Sequence, residues 1–261
     1  MRLTHSFSAR SVLAALLLSL MACGSDPATQ DLGGPDAGSD TPAGGNDAGT
    51  GGGSTMTSRP ISDFKSGVIT YYTEASGAGN CSFDPSPEDL DIAAIIKTEY
   101  QGSAVCGACA EIQGPKGTLR VRIVDSCPDC ETAGHLDLSR SAFSKLADPT
   151  LGRVQVKWRF VTCPMTGPVR YRFKEGSSQW WTALQVRNHH KPVRKLEWLK
   201  GTTWVEVPRQ DYNYFVEPAG MGVGPIKVRV TSWDGEVLQD TLPSVQAEQI
   251  VTGLRQFTPL P

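Results

Sequence analysis

Short segments in the first half of the chain alternate apolar with polar residues. In TLRVRIVD (118–125), apolar side chains alternate with two arginines, which is the period of a half-buried β-strand. RVQVKWRFVT (153–162) repeats this pattern, and 68–73 and 108–113 are also predicted strands. The continuous apolar run 92–96 is compatible with either a strand or a helix, because it has no period that separates the two.

One helix start is visible among these strands. Ser139 is a typical N-cap residue, and it precedes the helix-forming segment 140–147. Many short strands with one small helix predict a β-barrel for this half of the chain.

The second half, from Val169 onward, also consists of short strand-like segments. Turn signals such as Lys200-Gly201 and Asp234-Gly235 separate them, and no helical period is visible. The spacing and the lack of cysteine favour an immunoglobulin-like β-sandwich of two packed sheets, so the predicted fold class is all-β. The strand segments are VRYRFK, WTALQV, VRKLEWL, TTWVEV, IKVRVTS and EVLQDTL.

The N-terminus has the pattern of an export signal. Arg2 and Arg10 precede a short apolar run, 12–22, whose length suits a signal peptide and is too short for a stable membrane span. The run ends in LMAC, which resembles a bacterial lipobox; in that family the peptide is cut before the cysteine, which then carries the lipid. We therefore predict a lipoprotein signal peptide over 1–23 with lipid on Cys23. The alternative is an ordinary secretory signal, and both predict export.

A low-complexity segment follows the signal. Residues 24–60 contain ten glycines, five aspartates and no aromatic residue. Such a segment buries too little apolar surface to offset its ordering entropy, which predicts a disordered Gly/Asp/Pro-rich tether. The remaining residues hold 22 basic and 22 acidic side chains. Six cysteines lie in 61–164 and five of the six tryptophans lie after it, so we predict two domains, 61–164 and 168–261.

Two Cys-x-x-Cys pairs have the spacing of a four-cysteine zinc ribbon. A zinc ribbon would leave two further cysteines unexplained, and in an exported protein an even set of cysteines is usually oxidised. A thioredoxin-like redox site is disfavoured because the second pair lies between a strand and a loop. The sequence thus predicts disulfides and no metal for the six residues Cys81, Cys106, Cys109, Cys127, Cys130 and Cys163.

Several motifs of the first domain resemble the six-stranded double-psi β-barrel that expansins, barwin-like proteins and family-45 glycoside hydrolases share. The resemblance is strongest in VRIVDSCPDCETAGHLDLSRSAFSKL, and the expansin motifs occur in the expected order. These are GVITYYTE (67–74), CGACAEI (106–112), HLDLSRSAF (135–143) and VKWRFVTC (156–163).

This resemblance implies a groove that contains Thr70, Asp125 and Asp137. Cys127 stands where bacterial expansins often carry a groove tyrosine, so one polysaccharide contact of the family differs here. By analogy with plant members, the resemblance also implies three disulfides, Cys81–Cys106, Cys109–Cys163 and Cys127–Cys130.

The groove raises the question of catalysis, since glycoside hydrolysis normally needs two carboxyl groups. Asp137 matches the acid of the related hydrolases and would need a raised pKa to donate a proton. Glu74 lies near the position of their catalytic base, with a solvated loop charge as the alternative. Asp137 could instead be a carboxylate satisfied by backbone amides before a helix, and Asp125 a turn former. Expansins lack the second carboxylate and loosen walls without cutting them.

The second domain carries adjacent tryptophans in KEGSSQWWTALQVRN (174–188). Neighbouring residues of a regular strand face opposite sides, so at least one of Trp180 and Trp181 should be exposed unless both pack at the core or domain seam. This half resembles the family 63 carbohydrate-binding module of bacterial expansins. The resemblance implies a linear aromatic platform of Trp180, Trp181 and Tyr212 with Lys174 beside it; a buried Tyr212 and a solvated Lys174 are the alternatives.

Both domains in this order resemble a lipid-tethered bacterial expansin. The resemblance implies a non-hydrolytic protein that is not an enzyme: the sandwich holds a glucan chain while the groove around Asp137 separates a neighbouring one. The implied partners are cellulose, xylan-type or peptidoglycan polysaccharides. The implied state is a monomer that is secreted or lipid-anchored to the cell envelope. The alternatives are a β-1,4-glucanase or lytic transglycosylase that uses Asp137, and an adhesion module without activity.

Other functions are disfavoured. The small net charge argues against nucleic-acid binding, and the lack of a Gly-rich phosphate loop argues against a nucleotide cofactor; none is predicted. His135, His189 and His190 lack the partner pattern of metal ligands, so we interpret them as ordinary polar side chains.

Overall fold

A computed structural model of the protein describes residues 59–73 and 75–259. The predicted signal peptide with Cys23 and nearly all of the predicted tether lie outside these residues, as does Glu74. No helix in the described ranges is long and apolar enough to cross a membrane.

In its described part, the first half contains six strands, two short helices and two 3₁₀ turns. They are β1 (Lys65–Tyr72), β2 (Ile92–Ile96), α1 (Lys97–Tyr100), a 3₁₀ turn (Gln101–Ser103), β3 (Cys109–Gly114), β4 (Gly117–Cys127), β5 (His135–Ser139), α2 (Arg140–Leu146), a 3₁₀ turn (Pro149–Leu151) and β6 (Val154–Val161).

The six strands form a closed barrel in the order β1-β5-β2-β4-β3-β6. The pairs β1–β5 and β2–β4 are parallel, and the other four pairs are antiparallel. Alternation along β4 and β6 turns Val121, Ile123 and Trp158 into the barrel interior, as their period predicts. The interior is therefore a packed apolar core, and polar chemistry is confined to the outer face.

The ambiguous run 92–96 is strand β2. All five of its residues are buried, because β2 lies between β5 and β4 and is covered on both faces. A strand covered on both faces has no alternation to read. The predicted helix is present as α2, and the Ser139 hydroxyl accepts a hydrogen bond of 3.0 Å from the Ala142 amide. It ends one residue earlier than predicted because Ala147 has an extended backbone.

The second half contains eight strands in the described residues, arranged as two antiparallel sheets of a β-sandwich. The sheet orders are β10-β9-β12-β13 and β11-β8-β7-β14. The predicted all-β class and the sandwich are thus confirmed. The strands are β7 (Arg170–Phe173), β8 (Thr182–Arg187), β9 (Val193–Lys200), β10 (Thr203–Glu206), β11 (Phe215–Glu217), β12 (Ile226–Ser232), β13 (Val237–Leu242) and β14 (Ile250–Thr252).

Two further features tie the first half together. The structure contains the three expected bridges, Cys81–Cys106, Cys109–Cys163 and Cys127–Cys130. Arg59 and Pro60, the last residues of the predicted tether, contact β6: the Arg59 amide donates to the Thr162 hydroxyl at 2.8 Å, and Pro60 pairs with Val161. Ordered chain therefore begins before residue 61.

Replacing both Cys127 and Cys130 with alanine should lower the free energy of unfolding by about 2 kcal/mol. The bridge spans a sequence separation of only 3, so it removes little loop-closure entropy from the unfolded chain. The same replacement of Cys109 and Cys163, with a separation of 54, should cost more than twice as much. Chemical denaturation of both variants checks the ranking, and an equal cost for the two bridges would contradict it.

Candidate functional site

Polar side chains form a row across four neighbouring barrel strands. The backbone register pairs Thr70 of β1 with Asp137 of β5, Asp137 with Ala94 of β2, and Ala94 with Asp125 of β4. Directly opposed residues of paired strands project to the same face of a sheet. The outer face therefore carries what we call the polar row, Thr70–Asp137–Ala94–Asp125, in which the small Ala94 separates the two carboxyl groups.

Asp125 reaches this face because β4 is irregular. The register with β2 shifts so that Ala93 pairs with Ile123 and Ala94 with Asp125, which leaves Val124 as an extra residue. Strict alternation would have turned Asp125 inward with Ile123, and the bulge turns it outward. The three groove residues implied by the resemblance are thus brought together.

Asp137 is the carboxyl with the more unusual environment. It is half-buried, and the Thr70 hydroxyl donates a hydrogen bond to its Oδ1. Burial raises the pKa of Asp137 above its ordinary value, and the Thr70 hydrogen bond and the nearby His135 offset only part of this effect. Asp137 lies within β5, and its hydrogen-bond partner is the Thr70 hydroxyl. It therefore differs from the alternative of a carboxylate that is satisfied by backbone amides before a helix.

His135 belongs to this site as a hydrogen-bonding side chain, a position that was not predicted from the sequence. Its Nε2 lies 2.9 Å from the Thr70 hydroxyl oxygen. Since that hydroxyl donates its hydrogen to Asp137, it accepts from the Nε2–H of His135. Burial lowers the pKa of His135, so the ring is neutral and the chain His135–Thr70–Asp137 has one direction of donation.

Asp125 is held by the loop that precedes β2. Its Oδ1 accepts hydrogen bonds from the Asn80 amide at 2.7 Å and the Ser126 amide at 2.8 Å. Gly79 makes this approach possible, because a Cβ at that position would lie 2.6 Å from the Asp125 Cβ. Asp125 therefore has both properties considered for it: a position in the groove and hydrogen bonds to local backbone.

Tyr72 is a residue of this site that sequence reasoning missed. It follows Thr70 by two positions on β1, and therefore faces the same side of the strand. Burial, followed by the charges of Asp125 and Asp137, raises its pKa to about 12, so the phenol remains a hydrogen-bond donor beside the row. The period of two along β1, which places Tyr72 on the same face as Thr70, could have predicted it.

The adjacent tryptophans of the second half lie in a tight turn between β7 and β8. Ser178 and Trp181 form an isolated bridge with Trp180 at the tip, where 73% of its surface is exposed. Trp181 is half-buried and packs in a small cluster with Ala183, Tyr212, Tyr214 and Val216. One tryptophan is thus exposed, as expected, but the reason is the turn and not strand alternation, since β8 begins only at Thr182. The other tryptophan is packed against its neighbours.

Tyr214 supports this surface and was not predicted. It is buried, its ring centroid lies 6.0 Å from that of Tyr212, and the Lys174 Nζ lies 6.0 Å from the same Tyr214 ring. Tyr212 and Lys174 are half-buried, so neither is fully buried nor fully solvated. We call Trp180, Trp181, Tyr212 and Lys174 the aromatic surface.

One residue connects the polar row to the aromatic surface. The Asn80 amide nitrogen donates to Asp125, and its side-chain Nδ2 donates to the carbonyl of Asp211 at 2.9 Å, immediately before Tyr212. The Tyr100 hydroxyl donates to the same Asp211 carbonyl at 2.8 Å. The two parts of the site therefore lie against one shared loop.

No group of three or more His, Cys, Asp or Glu side chains able to hold a metal ion occurs in the described ranges. His190 is satisfied otherwise, since its Nε2 lies 2.7 Å from the carbonyl oxygen of Met165. The described site thus consists of hydrogen-bonding and aromatic groups.

A double-psi barrel with a polar row, joined to a β-sandwich with an exposed aromatic surface, defines a class that known proteins share. The family model described as "Lytic transglycolase", a double-psi β-barrel model, matches residues 92–158. Expansin-YoaJ of Bacillus subtilis (strain 168) is 40% identical over 196 residues, which cover 74% of this chain and 84% of that protein. The chain belongs to the expansin family and resembles its bacterial members.

Other relatives agree with this assignment. Expansin-like protein 2 of Dictyostelium discoideum is 35% identical over 214 residues, covering 77% of this chain and 52% of that protein. The crystal structure of apo Clavibacter michiganensis expansin matches with a TM-score of 0.69 at 35% identity, covering 76% of this chain and 100% of that one. A mutant of the same expansin in complex with cellohexaose matches equally well.

Proposed function

We propose that this protein binds cellulose and related β-1,4-linked wall polysaccharides and loosens the contacts between their chains without cutting them. The observation that carries this proposal is the continuity of an exposed aromatic surface with a polar row that has one carboxyl of raised pKa. A related expansin has been crystallised with cellohexaose, which supports a glucan as the ligand.

The aromatic surface suits a flat polymer. The indole of Trp180 can stack on the apolar face of a pyranose ring, and such stacking needs no hydrogen bond in a particular register. Tyr212 and Lys174 extend the surface beside the supporting Tyr214, each about 6.0 Å from its ring. A chain held in this way is not fixed in one register, which is compatible with loosening.

The polar row acts on the bound chain by hydrogen bonding. The raised pKa of Asp137 favours its protonated form, which can donate to a sugar oxygen, and His135 and Thr70 fix its orientation. Asp125 is the other carboxyl of the row, and two backbone amides occupy its Oδ1 while Ala94 separates it from Asp137. A carboxylate engaged in this way is poorly placed to activate water against a bond that Asp137 protonates.

The cellular setting is part of the same proposal. The signal peptide is cut before Cys23, and the exported protein is held by lipid on Cys23. It extends from the envelope on its tether as a monomer with domains 61–164 and 168–261. Xylan-type polysaccharides and peptidoglycan are further ligands, because a stacking surface tolerates several β-linked glycans.

The test is the release of reducing ends from amorphous cellulose by residues 24–261, which retain the ordered Arg59 and Pro60. We expect no release above that of an Asp137→Asn variant, while both proteins pellet with the cellulose. Release by the parent chain that the variant loses would make the protein a glucanase, and Glu74 would be the next residue to change.

A lytic transglycosylase is the second candidate, favoured by the description of the matching family model. In that reaction a hydroxyl of the sugar itself replaces water, so a single acid such as Asp137 could suffice. Incubation with peptidoglycan, followed by analysis for anhydro-sugar ends, separates this activity from loosening.

A further inference from the structure

A solvent-open cavity of about 260 Å³ lies between the barrel and the sandwich, and its lining includes none of the four residues of the aromatic surface. Its wall includes Phe83, Asp84, Arg122, Arg187 and His189, and we call it the junction cavity. The loop before β2 separates it from the polar row. On one side of this loop Asn80 bonds Asp125, and on the other side Ser86 accepts from Arg122 at 3.3 Å.

Arg122 lines this cavity, and one of its guanidinium N–H groups has no hydrogen-bond acceptor in the described residues. Its Nε is buried and has no hydrogen-bond partner among the described residues, and no ion pair within 4.0 Å involves it there. Burial lowers the pKa of Arg122, and Asp89 offsets only part of this effect from a greater distance. A buried guanidinium N–H without an acceptor is unfavourable, so the site is suited to an acceptor that comes from outside.

A second unsatisfied group lines the same space. His189 is 4% exposed, and its Nδ1 is buried without a partner in the described part of the chain. Burial lowers its pKa to about 4 and outweighs a backbone interaction with Lys191 that raises it, so the ring is neutral. The Nδ1 atom can still donate or accept one hydrogen bond. Gly107 lies against the ring, where a Cβ would come within 2.8 Å of Nε2.

The charge of the cavity wall is positive. Arg187 and Arg172 both pair with the single carboxylate of Asp84, and Arg172 also lies 4.0 Å from Glu248. The charge of Arg122 is additional to these pairs. The guanidinium groups of Arg122 and Arg187 lie 5.3 and 5.8 Å from the centroid of the Phe83 ring, which supplies an apolar surface.

We propose that the junction cavity binds the carboxylate of an acidic sugar, a hexuronate residue borne by a wall polysaccharide. The planar guanidinium of Arg122 matches a carboxylate in geometry and charge, His189 can bond a ring hydroxyl, and Phe83 offers a face for the sugar ring. The volume lies near the lower limit of small-ligand pockets, about 300 Å³, which suits one sugar unit. This inference rests on the proposed polysaccharide function but uses a different site.

The experiment is a calorimetric titration of the full exported chain with methyl glucuronide and methyl galacturonide, and with methyl glucoside as the neutral control. We expect either uronide to bind, the glucoside not to bind, and Arg122→Gln to weaken uronide binding at least tenfold. Arg194→Gln is the matched control, because it removes the same charge from an exposed position on β9. Equal weakening by both variants would overturn the site.

A second measurement does not depend on a variant that folds. In the unaltered protein, the imidazole nitrogen resonances of His189 should shift when the uronide is added and should not shift with the glucoside. An unchanged His189 at saturating uronide overturns the proposal, as does tighter binding of inorganic phosphate than of uronide. Cellulose pelleting should be the same for Arg122→Gln and the parent chain. A negative result for uronide binding is therefore distinguishable from a negative result for the proposed cellulose function.

Discussion

Replacement of Trp180 by alanine should lower the affinity of the protein for cellulose about ten- to a hundredfold and leave its thermal stability nearly unchanged. The side chain is 73% exposed, so its removal deletes few contacts within the fold, and such surface changes usually stay within about 0.5 kcal/mol. Covering the indole with a pyranose removes apolar surface from water at about 25 cal/mol per Å². A ten- to hundredfold loss, about 1.4–2.8 kcal/mol, thus corresponds to about 55–110 Å² of surface. Pelleting isotherms with crystalline cellulose measure the loss.

The neighbouring positions sharpen this test. Trp181→Ala should weaken binding and also destabilise the fold, because Trp181 packs against Ala183 and Tyr214. Trp204→Ala is a control of the same chemistry on β10 of the other sheet, where the ring lies under Arg229, and should leave binding intact. If Trp204→Ala reduces binding as much as Trp180→Ala does, the aromatic surface is not the cellulose site.

The fold could be predicted from the sequence wherever one face of a strand is buried and the other is not. The alternation in 118–125 and 153–162 identified β4 and β6 and the residues that fill the barrel. It could not identify β2, whose residues are buried on both faces. It would also have given Asp125 the wrong face, because the bulge at Val124 follows from pairing with β2 and not from the local pattern.

The candidate site could likewise be predicted only in part. The residues that the family resemblance implied, such as Thr70 and Asp137, lie side by side because their strands are paired in parallel register. The place of His135 in the site was not predicted, because it depends on the Thr70 hydroxyl, 65 residues away. The link from Asn80 to Asp211 spans 131 residues and joins a loop to a turn, neither of which has a period. Contacts of this kind are properties of the packed molecule.

Asp137→Asn should abolish most of the wall-loosening activity, at least a tenfold loss, while cellulose binding stays unchanged. Asparagine keeps the size of the side chain and can still accept from Thr70, but it cannot supply the protonated carboxyl that we assign to the groove. Removing a donor so that its partner is left unsatisfied costs about 1–3 kcal/mol, and about 1.4 kcal/mol already corresponds to tenfold. The extension rate of cellulose paper strips under load measures the activity, with exposed Asp129→Asn as the matched control.

The same substitution should stabilise the protein at neutral pH. Because the folded state raises the pKa of Asp137 above its ordinary 3.8, folding favours the protonated form, and this contribution is present at low pH and lost as the pH rises through the folded pKa. Asparagine does not titrate, so the melting temperature of Asp137→Asn should match that of the parent below pH 3.8 and exceed it at pH 7. A variant that melts below the parent at pH 7 would mean that the Asp137 carboxylate stabilises the fold, and its role as the protonated group of the groove would be wrong.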